Sequence, residues 1–281
     1  MTASGPRPAR IVAQHIGGAH GVTVDIGTDG RQGERAQQLE TAGYGALWIA
    51  GGSLRSLDLV LDLLDAAQQA VIATGIIPLD VFGLDEVIRV YRLAEQHHPG
   101  RFLMGLGGPQ QSQALAKLGA FLDSLDRAGV PADRHILAAL GPVKLRLAAE
   151  RALGAVPLLV TPDWVRTARA ALGEAAALVV SLPVALTGTA AAGRAALRPM
   201  LDFLLQVNGY RQNLLRCGFT AQELDGRSDR VIDGIIAHGD AGAIARRVQE
   251  YLDAGADQVD LAPVGEAAHR DALALAPVLQ A

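Results

Sequence analysis

The residues that could do chemistry follow the predicted strands, and glycine is over-represented among them. His15 ends the β-rich run Arg10–Ile16 and His20 lies in the loop after it, so either imidazole could exchange a proton near neutral pH. Glycines lie at or just after the ends of several later runs, including Gly51, Gly75 and Gly107. Glycine lets a backbone approach a ligand closely, but it serves tight strand–helix turns equally well. The pattern therefore fits either a ligand-binding rim or ordinary turns.

The stretch Leu140-Gly-Pro-Val-Lys144 has the most specific chemistry. A strand is predicted to end at Leu140 and a helix to begin near Pro142. Backbone N–H groups at such a helix start, together with the helix dipole, form an anion site suited to phosphate, and Lys144 would add charge. The alternative interpretation is an ordinary helix that begins with proline.

Other kinds of site lack the residues they need. No His, Asp or Glu grouping has the spacing of metal ligands, and neither a Gly-x-Ser-x-Gly nucleophile motif nor a P-loop occurs. The single cysteine, Cys217, excludes an intrachain disulfide framework. A nearly neutral, apolar rim with an anion site but few acids or bases suits a cofactor that brings its own reactivity.

The composition of the whole chain predicts a globular domain. It has 281 residues, a formal net charge of −4, 50% apolar and 19% charged residues. No apolar run approaches the roughly 18 residues of a membrane span, and MTASGPRPAR lacks the apolar core of a signal peptide. The mild acidity argues against a nucleic-acid binder. We expect one cytoplasmic domain over residues 1–281, with a small-molecule substrate and neither a membrane nor a nucleic acid as partner.

Strand and helix patterns alternate along the chain, which is typical of a parallel sheet with helical connections. The helices include Arg31–Ala42, Leu84–His97 and Asp163–Leu172. The predicted strands are Arg10–Ile16, Ala46–Ala50, Ala70–Ile77, Phe102–Gly107, His135–Leu140, Val156–Thr161, Ala177–Leu182 and Gln258–Ala262.

Eight strands with about as many helices predict a (β/α)8 TIM barrel. An internal similarity between Thr41–Ala50 and Asp253–Ala262 supports a repeated unit, with an Ala-Gly break before each strand. The competing doubly wound open sheet would favour Gly-x-Gly-x-x-Gly after the first strand, which is not present there. Residues 189–239 are too long for one connection and are predicted to be a helical insertion between strands 7 and 8.

Several motifs, in order, resemble the luciferase-like monooxygenase superfamily. They are Ala42-Gly-Tyr-Gly-Ala-Leu-Trp48, Ala73-Thr-Gly75, His98-Pro-Gly-Arg-Phe-Leu-Met-Gly-Leu-Gly107, Leu140-Gly-Pro142 and Leu147-Ala-Ala-Glu-Arg151. The segments Asn208–Phe219 and Asp253–Asp257 resemble its F420-dependent oxidoreductase branch. The resemblance implies a luciferase-like TIM barrel, often a dimer, with a deazaflavin or flavin lying across the strand ends.

The resemblance also implies which residues hold that cofactor. A non-proline cis peptide that forms a bulge behind the ring would lie within Gly75–Ile77, the glycine-rich end of the fourth strand would pass near the ring, and Leu140-Gly-Pro142 would bind the phosphate. The cofactor residues are Gly51, Gly75, Ile76, Ile77, Gly107, Gly108, Gly141, Pro142, Val143 and Lys144.

Catalytic and substrate residues are expected at the rim and in the insertion. His15 or Gln110 would orient or protonate the substrate, and His20, Tyr210, Arg211 and Asn213 would contact it. Three rim segments depart from the family pattern because they lack its usual polar residues: Ala50-Gly51-Gly52, Pro78 with Phe82-Gly83-Leu84, and Gly108-Pro109-Gln110-Gln111.

The function these features favour is an F420-dependent oxidoreductase, a homodimer without a metal, that transfers hydride between the deazaflavin and a small organic substrate, such as a specialised metabolite. The first alternative is an FMN-dependent monooxygenase of the same superfamily. The second, which the altered rim motivates, is a barrel without a cofactor that acts as an isomerase, a cyclase or a binding subunit.

Overall fold

The structure, a computed structural model, describes residues 9–108 and 113–280, and side chains from Val12 onward within them. Its ten strands are β1 (His20–Thr23), β2 (Ala46–Ala50), β3 (Val71–Gly75), β4 (Ile77–Pro78), β5 (Phe102–Gly107), β6 (His135–Leu137), β7 (Gly154–Ala155), β8 (Ala177–Leu186), β9 (Ala237–Gly239) and β10 (Gln258–Pro263).

Helices connect these strands. They are α1 (Ala9–Ile16), α2 (Gln32–Thr41), α3 (Asp58–Ala66), α4 (Leu84–His97), α5 (Ala114–Arg127), α6 (Pro142–Arg151), α7 (Pro162–Leu172), α8 (Ala190–Leu204), α9 (Asn208–Arg216), α10 (Ala221–Asp225), α11 (Asp229–Ile235), α12 (Ala241–Asp253) and α13 (Ala268–Leu279).

Eight of the strands close into a parallel barrel. Its order is β1, β2, β3, β5, β6, β7, β8 and β10, and β10 pairs with β1 in the register Val259 to His20. The other two strands extend the barrel: β4 continues from β3 alongside β5, and β9 pairs with the end of β8. The closed ring confirms the predicted (β/α)8 barrel and excludes the open-sheet alternative.

The lower half of the barrel interior, at the amino ends of the strands, is a packed apolar core. Its large side chains include Trp48, Leu103, Ile136 and Val179, all at most 2% exposed. A second, larger core lies between the outer strand faces and the helices. Because successive strand residues alternate between these two cores, the inward-facing positions can be followed up each strand.

The first predicted strand, Arg10–Ile16, is wrong: this segment is helix α1. Val12 and Ile16 from α1 join the interior core, next to residues at the amino ends of the strands such as Ala46 and Val71. The helix therefore closes the bottom of the barrel. An i, i+4 pair of apolar residues suits a helix face, whereas a short apolar run alone does not distinguish helix from strand. The true first strand, β1, begins only at His20.

Most other predicted elements are confirmed, with some changes of bounds. β2, β5 and α4 have the predicted bounds, whereas β7 is Gly154–Ala155 rather than Val156–Thr161. The internal similarity is also structural, because Gly43 and Gly255 end helices α2 and α12 with positive φ of 101° and 107° before β2 and β10. Glycine tolerates this conformation and so allows the tight turn into each strand.

Between β8 and β10 the chain forms helices α8 to α11, strand β9 and helix α12. Leu197, Leu214, Leu224 and Ile232 from the four helices α8 to α11 share a separate apolar cluster. Among all the helices of residues 9–108 and 113–280, none has the length and apolar character needed to cross a membrane.

Candidate functional site

The upper half of the barrel interior, towards the carboxyl ends of the strands, is lined by small side chains. Alternation from the lower core places inward the residues Thr23, Ala50, Gly75, Gly107, Ala138, Ser181 and Ala262. Five of them, Thr23, Ala50, Ala138, Ser181 and Ala262, are only half-buried. Solvent therefore reaches into this end of the barrel, which we call the mouth.

Ile76 lies on one side of the mouth and fills space beside two of the predicted cofactor glycines. The peptide bond between Gly75 and Ile76 is cis, where the resemblance implied such a bond. A side chain at Gly107 would overlap the Ile76 side chain, and one at Gly51 would overlap the backbone of Ile76. The backbone of Ile76 therefore requires glycine at Gly51, and a side chain at Gly107 would displace Ile76, so the identity of these two glycines gives no evidence of a ligand.

The other predicted glycines have room beside them. A Cβ at Gly75 would stand 3.5 Å from Trp48, and at Gly108 its nearest neighbour would be 3.9 Å away. Ile77 is fully buried against the outer core and pairs with Leu106, so its side chain does not face the mouth. Gln110, a predicted catalytic residue, lies outside the described residues.

Helix α6 begins at this rim without a side-chain cap. Its N-cap residue, Gly141, has no side chain to accept a bond from the first-turn N–H groups of Val143 and Lys144. In the next helix along the barrel, α7, the Thr161 hydroxyl accepts such a bond from the Trp164 N–H. The open N–H groups of α6 and its dipole favour an anion at this point.

Two cations stand near the start of α6. A Cβ at Gly141 would be 4.0 Å from the Arg216 guanidinium, which reaches over from α9. Lys144 is half-buried in the first turn, and burial lowers the pKa of its ammonium group. Within the described part of the chain, neither cation makes an ion pair with a carboxylate.

A cavity of about 360 Å³ opens beside this helix start. Pro142, Thr161, Arg216 and Cys217 are among the residues that line it. Asp163 also lines the cavity, but its carboxylate pairs with Arg166. Most of the cavity's other lining residues are apolar, so Arg216 and the adjacent start of α6 are the groups that would favour a phosphate or carboxylate there.

A carboxyl group that our sequence analysis missed lies deeper in the barrel. The Asp260 side chain accepts hydrogen bonds from the Ser181 hydroxyl at 2.9 Å and from the Thr23 hydroxyl at 3.1 Å. Burial raises the pKa of Asp260 to about 7, although the two hydrogen bonds lower it. The signal was in the strand Gln258-Val-Asp-Leu-Ala262, whose polar residues alternate towards the barrel interior.

Comparison of the whole structure with solved structures finds proteins of similar fold. An F420-dependent secondary alcohol dehydrogenase in complex with an F420–acetone adduct matches with a TM-score of 0.72 and 12% identity, over 94% of this chain and 99% of that one. The F420-dependent tetrahydromethanopterin reductase of Methanopyrus kandleri matches with a TM-score of 0.66 and 12% identity, over 92% and 96%.

A third match is the oxygenating constituent of 3,6-diketocamphane monooxygenase from Pseudomonas putida, in complex with FMN. Its TM-score is 0.65 with 12% identity, over 92% of this chain and 95% of that one. This chain has the luciferase-like barrel fold. No protein-family model and no curated protein sequence matches it.

The luciferase-like barrel places both predicted histidines at the end opposite the mouth. His15 lies in α1, below the barrel, and its ring is 3.5 Å from the carboxylate of Asp133, in the turn before β6. His20 is the first residue of β1, half-buried, and burial lowers its pKa. The sequence analysis placed His15 at the carboxyl end of a first strand and His20 in the loop after it. Both placements, which were the reason for the proposed roles of these residues, are wrong.

The predicted substrate residues on α9 have partners inside the helical layer of this luciferase-like barrel. Asn213 is fully buried and accepts a hydrogen bond from Arg216, while Arg211 pairs with Asp225 at 2.7 Å. Tyr210 is half-buried against the apolar cluster of α8 to α11, and burial raises its pKa. The same helix directs Arg216 to the α6 start, a residue three positions beyond Asn213 that we had not singled out.

Metal ligands are not assembled anywhere in residues 9–108 and 113–280, where no group of three His, Cys, Asp or Glu side chains is arranged to hold an ion. The functional candidates of the luciferase-like barrel are thus its mouth, the start of α6 and the carboxyl group of Asp260.

Proposed function

We propose that the protein is an F420-dependent oxidoreductase that acts on a small, largely apolar organic molecule in the barrel mouth. The observation that carries this proposal is the uncapped start of α6, with Arg216 and Lys144 beside it, at the rim of a mouth lined by small side chains. The F420–acetone adduct bound by a dehydrogenase of the same fold supports it.

The residues at the rim fit a ring cofactor that carries a phosphate. The N–H groups of Val143 and Lys144 have no side-chain acceptor, and the Arg216 guanidinium stands close enough to add a second contact to a phosphate. Small inward side chains such as Ala138 and Ala262 leave room for a planar ring, and Ile76 offers it an apolar surface.

Such a cofactor, when bound, supplies two-electron transfer at its ring. The chain's own part is to hold and orient the reactants. The α6 start and Arg216 would hold the phosphate end, and Ile76 with the small side chains would orient the ring. Orientation of this kind lowers the barrier because it removes freedom of motion before the reaction begins.

A flavin-dependent monooxygenase is a second candidate because the diketocamphane monooxygenase of the same fold holds FMN. The ligand at the α6 start would again be a phosphate, so this site does not separate the two cofactors. Oxygen consumption separates them, since reduced flavin reacts readily with oxygen and a deazaflavin does not.

The test is a fluorescence titration of the purified protein with F420, and a parallel titration with FMN. We expect F420 to bind with a Kd on the order of 1 μM, and FMN to bind at least ten times more weakly. Preferential binding of FMN would replace the proposal with the flavin candidate. Binding of neither would overturn both and turn the search to non-redox chemistry in the same mouth.

A further inference from the structure

Asp260 lies between two hydroxyl groups, each on a neighbouring strand. Ser181 on β8 is its register partner and donates to Oδ2 at 2.9 Å. Thr23, the last residue of β1, lies 3.1 Å from Oδ1 and 3.2 Å from Oδ2. The three side chains belong to strands that are adjacent in the closed barrel, so the barrel itself fixes their geometry.

Ser181 is level with Asp260 in the sheet, and Thr23 lies two residues nearer the mouth than Gly21, the β1 partner of Asp260. Asp260 is only 2% exposed, whereas Ser181 and Thr23 are both half-buried. Below the carboxyl group, one layer down, lie Gln258 and Val179 of the packed interior. A proton that leaves Asp260 for the mouth therefore passes most directly through one of the two hydroxyls.

Ionised residues do not compensate the Asp260 charge. Burial among neutral atoms raises the pKa of Asp260, and the two hydroxyl donors lower it. The inward neighbours along β1, β8 and β10 are Gly21, Val179, Pro183, Gln258 and Ala262, all neutral. The carboxyl group can thus hold or release a proton near neutral pH, where its two states have similar free energy.

The two protonation states present different groups to the mouth. When Asp260 is ionised, both hydroxyls donate to the carboxylate and the Ser181 oxygen is the exposed polar atom. When Asp260 is protonated, its O–H can donate to Ser181 Oγ, which frees the serine hydrogen to donate towards the mouth. Thr23 stays bonded to the other carboxyl oxygen in both states and holds the group in place.

We propose that Ser181 and Asp260 form a two-step proton relay to a neutral substrate oxygen in the mouth. This inference rests on the proposed function. In the reduction of a carbonyl group, Ser181 would give its proton to the carbonyl oxygen and receive the Asp260 proton. A bound reduced deazaflavin or flavin would supply the hydride, the two-electron part of the change to an alcohol, and Asp260 would be left as a carboxylate that solvent reprotonates.

The relay also defines the substrate class. Oxidation runs by the reverse steps: Ser181 takes the alcohol proton while its own proton passes to the Asp260 carboxylate. Because no cationic side chain faces inward along the relay strands β1, β8 and β10, the reacting part of the substrate is a neutral carbonyl or alcohol group rather than a phosphate or carboxylate. Ser181 contacts the substrate, and Asp260 acts through it.

The experiment is a titration of the purified protein, labelled with ¹³C at aspartate carboxyl groups, followed by NMR. We expect one signal that titrates near neutral pH, is absent in Asp260→Asn and persists in the control Asp271→Asn, which changes another buried carboxyl on α13. In Ser181→Ala the midpoint should rise by about one pH unit because the carboxylate loses a donor. The control Ser124→Ala, on the exposed face of α5, should leave it unchanged.

F420 is then added to the wild type, to Asp260→Asn and to Ser181→Ala, and the NMR titration is repeated. Saturation with F420 should raise the midpoint of the Asp260 signal in the wild type, because a ring over the mouth removes water from the site. A neutral-range signal that survives in Asp260→Asn, does not move in Ser181→Ala, or does not respond to bound F420 would overturn the relay.

The two proposals fail in different ways. If the carboxyl group titrates as expected but neither F420 nor FMN binds, the proposed function fails and the relay to a cofactor-driven reaction fails with it. If F420 binds the wild type and Asp260→Asn equally but Asp260 titrates near pH 4 like an exposed carboxyl, only the relay fails.

Discussion

The side chain of Ile76 occupies the space that any side chain at Gly107 would need. Ile76 follows the cis bond at the end of β3, and Gly107 ends β5, so the two residues meet across the mouth wall where β4 continues the sheet. Ala138, the residue after β6, also lies close, because its Cβ would be 3.3 Å from a Cβ at Gly107. The glycine at position 107 therefore leaves room for the Ile76 side chain, which forms part of the proposed ring site.

Gly107→Ala should destabilise the protein through this contact. The new methyl group would overlap the end of the Ile76 side chain, and such overpacking typically costs about 1–3 kcal/mol of unfolding free energy. Ile76→Val removes the overlapping methyl group, so the double variant should recover most of that loss. Urea unfolding of the four proteins measures the cycle.

Gly108→Ala is the matched control for that cycle, since a Cβ there has no neighbour closer than 3.9 Å. It should change the unfolding free energy by no more than about 0.5 kcal/mol. Gly107→Ala can be made in the wild type and in Ile76→Val. If it lowers the unfolding free energy equally in both, the contact with Ile76 is not the reason for glycine at position 107.

Local sequence patterns predicted most of this fold. The strand Phe102–Gly107 and the helix Leu84–His97 have the expected bounds because a buried apolar run and a Pro-Gly stop are signals within a few residues. Closure into a barrel followed from the number of strands. These features do not depend on which distant segments pack against them.

The site depended on information that a local pattern does not carry. Whether Arg10–Ile16 pairs as a strand or plugs the barrel depends on what its apolar residues pack against, and His15 was misplaced with it. Asp260, Ser181 and Thr23 are separated by up to 237 residues, so only the closed barrel brings them together. Arg216 faces the α6 start because of how α9 packs, which its own sequence does not show.

Gln258 ties the helix at the bottom of the barrel to the strands, and its loss should loosen that helix. The Trp48 indole donates to the Gln258 side chain at 2.8 Å, and the Gln258 amide donates to the carbonyls of Ile16 and Gly18. Gln258→Leu leaves these buried groups unpaired and should cost about 2–4 kcal/mol. Hydrogen exchange should quicken first in α1.

Gln249→Leu serves as the control because this glutamine is exposed on α12 and bonds only to Asp253. Its unfolding free energy should stay within about 0.5 kcal/mol of the wild type. Uniform acceleration of exchange throughout Gln258→Leu, rather than in α1 first, would mean that Gln258 supports the whole barrel and not the plug.

Gly141→Asp should stabilise the fold and weaken cofactor binding. The backbone at Gly141 has φ −101° and ψ 160°, which suits an aspartate N-cap, and the new side chain would bond the open N–H groups of α6. We expect a gain of about 0.5–1 kcal/mol in unfolding free energy. The same carboxylate would repel a phosphate, so the Kd for F420 should rise at least about tenfold.

Gly83→Asp is the matched variant at another uncapped helix, α4, where a Cβ has no neighbour within 4 Å. Its affinity for F420 should equal that of the wild type. If both variants weaken binding to the same extent, the added charge acts at long range, and the start of α6 is not the phosphate site.

Asp260 should make the protein less stable as the pH rises from about 4 to 7. Its pKa is raised from 3.8 to about 7 by burial, so the folded state keeps a proton that the unfolded chain releases over this range. The stabilisation is complete below pH 4 and is lost towards pH 7, with a total of at most about 4 kcal/mol. Asp260→Asn has no carboxyl proton to release, so its unfolding free energy lacks this dependence on pH.

Urea unfolding of both proteins from pH 4.5 to 8 isolates this effect, because the other carboxylates contribute equally to each. Groups with lowered pKa, such as Glu223 at about 2, lose their stabilisation only at lower pH. The difference in unfolding free energy should shift in favour of Asp260→Asn as the pH rises and become constant above about pH 7. A difference that does not vary with pH would mean that Asp260 is ionised throughout and holds no proton for the mouth.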